Sequence, residues 1–323
     1  MKGGSDTMAS APDERLFIGV ECAATFLRGV VCEAGGEVVT QRQRPLAGHA
    51  PTEAVAAVRA LIAELLATES DAAMFGGVGL ALPGSLNRAT DRCESSSLWS
   101  AVALDELRPC GLLGTAHLAS RAAAALIGER ACGVARGCRT VVYVETGHEI
   151  SAAILQDGRL WTGATGIAGM IGYDSVDVDG DITLQERVGG DGLIRRAKDR
   201  MYRDRTSSLS RRGIPRDRDI GLEDLLNMAR LGDELAQVII ARAGAHLGVA
   251  IARLVNLLNP ELIIIGGELA SAGSVLLDPA REEVERRTAP SAFAVCRMLP
   301  ATIGPAVGAA QVARQSVGAP PAA

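Results

Sequence analysis

The turn Thr146-Gly147-His148-Glu149 sets an imidazole and a carboxylate side by side between two apolar runs. Val141–Glu145 and Ile150–Leu155 read as strands on either side, and Asp157-Gly158 turns the chain after the second. In a nucleotide-binding sheet such a turn would cradle a phosphate on its backbone N–H groups. A cradle wants glycine, because side chains keep an anion away from the backbone. A carboxylate held close to phosphate is repelled by it. His148 and Glu149 therefore speak against a phosphate cradle, and their types are those that carry protons in acid–base chemistry.

The elements that must position this turn follow from the rest of the chain. Its 323 residues exceed what one compact core usually takes, and 48% apolar content with mean hydropathy +0.18 predicts two domains. A formal charge of −5 gives no global attraction to nucleic acid or to an anionic membrane. Apolar runs such as Leu262–Ile265 are soon bounded by charge, Gly or Pro, so no membrane span is expected. The polar start Met1–Asp6 lacks an apolar signal core, which makes the cytoplasm the expected location. Seven scattered cysteines without a C-x-x-C pair read as reduced, buried thiols and give zinc no support.

In chain order, residues 1–14 and 317–323 are expected to be disordered. A three-strand meander covers Leu16–Glu21, Thr25–Glu33 and Glu37–Arg44. A helix opens at Pro51, a buried strand spans Gly76–Leu82, a short helix lies near Leu104, and a strand-like piece lies around Leu112–Gly114. Ser120 caps an alanine-rich helix. After the hairpin come the small-residue loop Gly163–Gly169, an acidic segment Asp174–Asp181 and a helix near Leu193–Tyr202. Arg195–Arg218 is dense in arginine, which reads as a solvated insertion more readily than as an anion contact. A long helix runs from about Glu234 to Leu258, where Asn259-Pro260 stops it. Leu262–Ile265 is a strand, and Gly266-Gly267-Glu268 leads into a helix through Arg287. The expected organisation is an α/β protein with a small domain at 15–119, a large domain at 120–303 and a closing helix at 304–316 that packs back on the small domain. A cleft would lie between the domains.

Several segments resemble the ROK family of repressors and sugar kinases, within the actin/hexokinase-like ATPase superfamily. Gly77–Gly84 is similar to its G-I-G-x-x-x-P-G, and Ala122–Glu129 to its alanine-rich interdomain helix. Gly163–Gly169 is similar to its G-A-x-G-x-A-G loop, and Leu254–Glu261 with Gly266–Ala270 to its adenosine-side segment. The resemblance runs from Leu16 to Ala313 and implies a two-domain actin/hexokinase-like (ribonuclease H-like) fold with an interdomain cleft. For a kinase of the family it also implies ATP and magnesium, and Thr25, Gly147, Gly266 and Gly267 are the candidates for nucleotide contacts.

At the positions of chemistry the chain departs from that pattern. The family's D-x-G-G-T-K corresponds to Glu21-Cys22-Ala23-Ala24-Thr25-Phe26, which keeps a carboxylate and loses both glycines. Its T-G-I-G-x-G-I corresponds to His148–Ile154, where Glu149, Ser151 and Ala153 replace glycines. The catalytic Asp of its N-D-A-N-A-A-A corresponds to Arg121, after Ser120, and a guanidinium cannot accept a proton near neutrality. Sugar-contacting Asn, Glu and His correspond to Ser97, Met170 and Tyr173. The family's zinc cysteines would fall in Asp174–Gly189, which has none, so no zinc is expected. Family repressors carry an N-terminal winged helix, whereas about fifteen residues precede the first strand here, so direct DNA binding of that kind is not expected.

Three readings follow. One is a ligand-binding or regulatory module, for a small sugar-like molecule, that has lost phosphotransfer. Another is an ATP-dependent kinase of a sugar or cyclitol, with Glu145, His148 or Glu149 as substitute base. The last is an enzyme repurposed around Glu21, Arg121, His148 and Glu149, which would converge on the cleft; Glu21 and Arg121 could equally pair across it and pin it shut. Homo-oligomers occur among relatives, and the apolar helix Ala236–Leu258 is the only feature that bears on assembly.

Overall fold

The computed structural model describes residues 15–46, 50–69, 71–95, 97–175, 182–203 and 220–317. The two tails read as disordered, and most of the acidic and arginine-dense segments, lie outside the described residues.

Twelve strands are described: β1 (Leu16–Cys22), β2 (Phe26–Cys32), β3 (Val38–Pro45), β4 (Phe75–Leu82), β5 (Ser85–Asn87), β6 (Arg92–Glu94), β7 (His117–Ser120), β8 (Val141–Glu145), β9 (Ser151–Gln156), β10 (Arg159–Trp161), β11 (Leu262–Gly266) and β12 (Arg297–Pro300). They form two five-stranded sheets ordered β3-β2-β1-β4-β7 and β10-β9-β8-β11-β12, with β5 and β6 as a separate hairpin. Each large sheet begins with an antiparallel meander and continues with two parallel strands. The duplicated α/β unit expected from the order of segments is therefore present as two sheets of matching topology. The fold is the two-sheet, mixed α/β arrangement implied by the resemblance.

Central strands are buried along their whole length because both faces are covered: this holds for every residue of β1, β8 and β11. The edge strand β3 is exposed and carries Gln41, Arg42, Gln43 and Arg44, which discourage pairing with another sheet. The helix Pro305–Ser316 lies directly on β1 and β4. A Cβ at Gly19 would collide with the Ala306 carbonyl, and one at Gly79 with the Ala309 carbonyl. Only glycine allows backbone to approach backbone this closely. Glu129, on the helix Arg121–Cys132, ties that helix to the entry of the helix Pro305–Ser316. Its buried carboxylate accepts from the N–H groups of Val134, Thr302 and Ile303 and from the Thr302 hydroxyl.

Three expectations need correction. The piece around Leu112–Gly114 is a 3-10 turn, Gly111–Leu113, flanked by positive φ at Gly111 and Gly114; the strand is β7, three residues later. The segment from Glu268 to Arg287 is a 3-10 turn and a helix, Ser274–Arg287, separated by Gly273 at φ +60°. The helix Glu234–Leu258 is long and apolar enough to cross a membrane by length and composition, with a mean hydropathy of 1.6 over its best window. It passes that test because its inward stripe, Leu235, Ile239, Ala243, Leu247 and Ile251 among others, belongs to a buried apolar core shared with β8, β9 and β11.

Candidate functional site

The candidate site is built where strand ends from both sheets meet the start of the helix Arg121–Cys132. Glu21 is the next-to-last residue of β1, Glu145 ends β8, and Arg121 is the first residue of the helix, which Ser120 caps by accepting from the Ala123 N–H at 3.2 Å. Arg121 Nη2 lies 3.0 Å from Glu21 Oε1 and 2.9 Å from Glu145 Oε1, so one guanidinium joins a carboxylate from each sheet. Arg28, opposite Glu21 in the β1–β2 register, reaches Glu21 Oε2 at 3.2 Å. All three groups of the bridge are largely withdrawn from water, with side-chain exposures of 2% for Glu21, 5% for Glu145 and 13% for Arg121.

Burial dominates the electrostatics. It pushes the Glu145 carboxyl up to about 7; Arg121 opposes the rise, while Glu21 and Glu268 add to it. Neither Glu145 oxygen has an aligned hydrogen-bond donor. Burial also works against the charge of Arg121, but the attraction of Glu145 and Glu21 outweighs it and holds the guanidinium more firmly protonated than usual. This group cannot act as a base.

The β8–β9 turn is held by its own neighbours. Thr146 is buried, and its N–H and hydroxyl both donate to the Gly266 carbonyl, at 2.8 and 2.6 Å. Gly190 N–H donates to the Gly147 carbonyl at 2.9 Å. Gln185, on the helix Leu184–Val188, clamps the far side: its Oε1 accepts from Ile150 N–H at 2.8 Å and its Nε2 donates to the His148 carbonyl at 2.6 Å. The His148 ring turns toward Asp191, with Nδ1 3.5 Å from Oδ1. The Glu149 carboxylate accepts from the Ser95 hydroxyl at 2.6 Å, which joins the turn to the segment after β6.

Beyond Glu149 opens a cavity of about 390 Å³, bounded by Gly84, Glu94 and Ser95 and by Met170, Tyr173 and Gln185. Ser97 stands behind it, its hydroxyl 2.7 Å from that of Ser95. A second cavity of about 650 Å³ lies along the start of the helix Arg121–Cys132, lined by Ser120, Leu86, Arg88, Leu160 and Thr162 among others.

A family model described as the ROK family matches residues 17–316. The chain belongs to the ROK family. Over 317 residues it is 28% identical to the glucokinase of Thermotoga maritima, an alignment covering 94% of this chain and 98% of that enzyme. It is 20% identical to the xylose repressor of Bacillus subtilis over 301 residues, 91% of this chain and 76% of the repressor. Among solved structures, a ROK family glucokinase from Streptomyces griseus in complex with glucose and AMPPNP superposes with a TM-score of 0.80 at 22% identity, covering 93% of this chain and 99% of that one.

Within this ROK protein the residues singled out in the sequence divide into separate groups. Glu21 and Arg121 meet in the buried bridge. Glu149, Met170 and Tyr173 share the smaller cavity, with Ser97 behind. His148 stands apart from the bridge, with Asp191 and Gly190 as its neighbours. Gly266 and Gly267 serve packing: a Cβ on Gly266 would strike the Tyr143 hydroxyl, and one on Gly267, at φ +87°, the Thr146 carbonyl. Thr25 is exposed, and its carbonyl accepts from Leu46 N–H at 2.7 Å. Gly147 faces the Glu268 carboxylate, which a phosphate would find repulsive. Among the described residues, no three His, Cys, Asp or Glu side chains gather as a metal site would require.

Sequence reasoning missed Ser95 and Gln185 and weighed Glu145 only as a base. The signal for Glu145 is a carboxylate closing a fully apolar strand, a position where charge needs a partner. Gln185 and Ser95 carry no local signal, since their partners are distant in sequence.

Proposed function

We propose that this ROK protein binds a small, sugar-like ligand in its interdomain cleft and transfers no phosphate. The single observation that carries the reading is Arg121 lodged between Glu21 and Glu145. At the position corresponding to the family's base stands a permanently protonated group. The carboxylate corresponding to the family's magnesium-side acid is neutralised by two arginines, Arg28 and Arg121. At the turn, Gln185 occupies the Ile150 N–H and Glu149 projects where glycine would admit an anion. These residues do not fit the outer phosphates of ATP or their magnesium ion. The reading therefore assigns them a structural role that holds the two sheets together around a ligand cavity, in a sensor or regulator. Seven free thiols suit a reducing compartment, and the reading places the protein in the cytoplasm.

A kinase is the second reading, favoured by the full-length similarity to a glucokinase. It needs a base, and the Glu145 carboxyl, near 7, has a suitable affinity for protons but is engaged by Arg121. Measurement of ADP release from magnesium-ATP across a panel of sugars and cyclitols decides between them. The expected result is release at background level with every sugar, and no thermal shift with ATP. Sugar-dependent turnover that disappears in Glu21→Gln would overturn the proposal.

A further inference from the structure

The larger cavity, about 650 Å³ at the start of the helix Arg121–Cys132, shares no lining residue with the one beyond Glu149. It opens where two buried apolar cores meet. Leu86 and Leu118 lie on the fringe of the core around β1 and β4, and Leu160 and Val312 on the fringe of the core that joins the helix Arg121–Cys132 to β8, β9 and β11. These four residues and Ile127 line the cavity and are only half-buried, so aliphatic surface from five separate elements borders one space. Such surface gains from an apolar occupant that displaces water. The volume falls well within the roughly 300–1,000 Å³ of ordinary ligand pockets.

The charged groups of the lining are Arg88, Asp91, Asp105 and Arg108, and three of them are engaged. Arg108 Nε donates to Asp105 Oδ1 at 2.8 Å, and Asp91 Oδ2 accepts from the Asp105 N–H at 3.2 Å. Arg88 differs. Its backbone N–H donates to the Thr165 carbonyl at 2.8 Å, and its Cγ lies 3.3 Å from where a Cβ on Gly166 would stand, so the residue is held against the loop Gly163–Gly169. Its guanidinium has no acidic partner among the described residues. A guanidinium fork matches a carboxylate through two parallel hydrogen bonds. Asp91 and Asp105 on the same lining would repel a second negative charge, which disfavours phosphate esters.

We infer that this cavity is a second binding site, which takes a small apolar monocarboxylate with its carboxylate on Arg88 and its hydrocarbon part against Leu118, Ile127, Leu160 and Val312. The ligand covers aliphatic surface that the fold leaves half-buried and supplies the counter-charge to Arg88. A sugar would set its hydroxyls against those walls without partners, so the two cavities differ in ligand class as well as in place. The inference does not depend on whether the protein transfers phosphate. Because β7 belongs to one five-stranded sheet and β10 to the other, a ligand held between Leu118 and Leu160 touches both.

The test is isothermal titration of the full chain with hexanoate, heptanoate, octanoate, octylamine and octyl phosphate. Octanoate is expected to bind saturably, roughly tenfold more tightly than octylamine or octyl phosphate. Each methylene added from hexanoate to octanoate should tighten binding roughly threefold to fourfold. Arg88→Gln, at an exposed position, is expected to keep the native melting temperature and to weaken octanoate about tenfold. Ile127→Trp, which fills the cavity, should abolish binding, and Thr162→Trp should do the same if the first variant folds poorly. No saturable binding of octanoate, equal binding of octanoate and octylamine, or an affinity independent of chain length would each overturn the inference. Full octanoate affinity in a folded Arg88→Gln, or in a folded tryptophan variant, would place the ligand elsewhere and overturn it as well.

Discussion

Glu145 and Glu149 lie at the two ends of one turn and live in contrasting surroundings. Glu145 closes a buried strand, has Arg121 at 2.9 Å, and its carboxyl is raised by burial to about 7. Glu149 has a serine hydroxyl and an open cavity. The first is gripped by a guanidinium deep in the fold, while the second meets a serine hydroxyl at the edge of a cavity. Here one end has become part of the scaffold and the other faces a cavity.

Substitutions can break that contrast or sharpen it. The largest effect is expected from Arg121→Ala, which strands two buried carboxylates; about 3–5 kcal/mol of stability should be lost in urea denaturation. Restoring most of that loss by adding Glu21→Gln and Glu145→Gln would identify uncompensated charge as its cause.

The next effect is a pH dependence. The folded-state affinity of Glu145 for its proton, near 7, exceeds the ordinary value of 4.5. Its contribution to stability is therefore fully present below about 4.5 and is lost as pH rises through about 7. Relative to Glu145→Gln, the wild-type protein should lose on the order of 2–3 kcal/mol between pH 5 and pH 8, measured by urea titration at intervening values. A constant difference across that range would show that Arg121 keeps the carboxylate ionised throughout.

Gln185→Ala should cost about 1–2 kcal/mol, since it leaves the Ile150 N–H and His148 carbonyl without partners. Hydrogen exchange at the Ile150 amide should quicken while the core strands stay protected. The smallest stability effect, within about 0.5 kcal/mol, is expected for Glu149→Gln, in keeping with a residue whose role lies in binding. If that variant instead melted several degrees lower, Glu149 would belong with the scaffold and the contrast with Glu145 would disappear.

Much of the fold was legible in the sequence. The meander, the long helix ended by Asn259 in a left-handed conformation, the Ser120 cap and the hairpin at Asp157-Gly158 all rest on short-range pattern. The misread segments show the limit of that pattern. Around Leu112 an apolar run sits between two glycines at positive φ and turns rather than extends. In Glu234–Leu258 a stripe shaped for a protein core has the length and hydropathy of a membrane span.

The candidate site was legible as a set of departures and not as an arrangement. The sequence by itself determined that an arginine stands at Arg121, that a carboxylate replaces glycine at Glu149, and that the chain carries two similar α/β units. It also determined which side chains could bear charge. Only the tertiary structure decided how those charges are paired: Arg121 with both Glu21 and Glu145, His148 turned away, and Glu149 facing Ser95 and an acidic cavity. The reason is physical. Local propensity and apolar period act over a few residues, whereas the cost of a buried charge depends on partners that only the packing of two sheets brings within 3 Å.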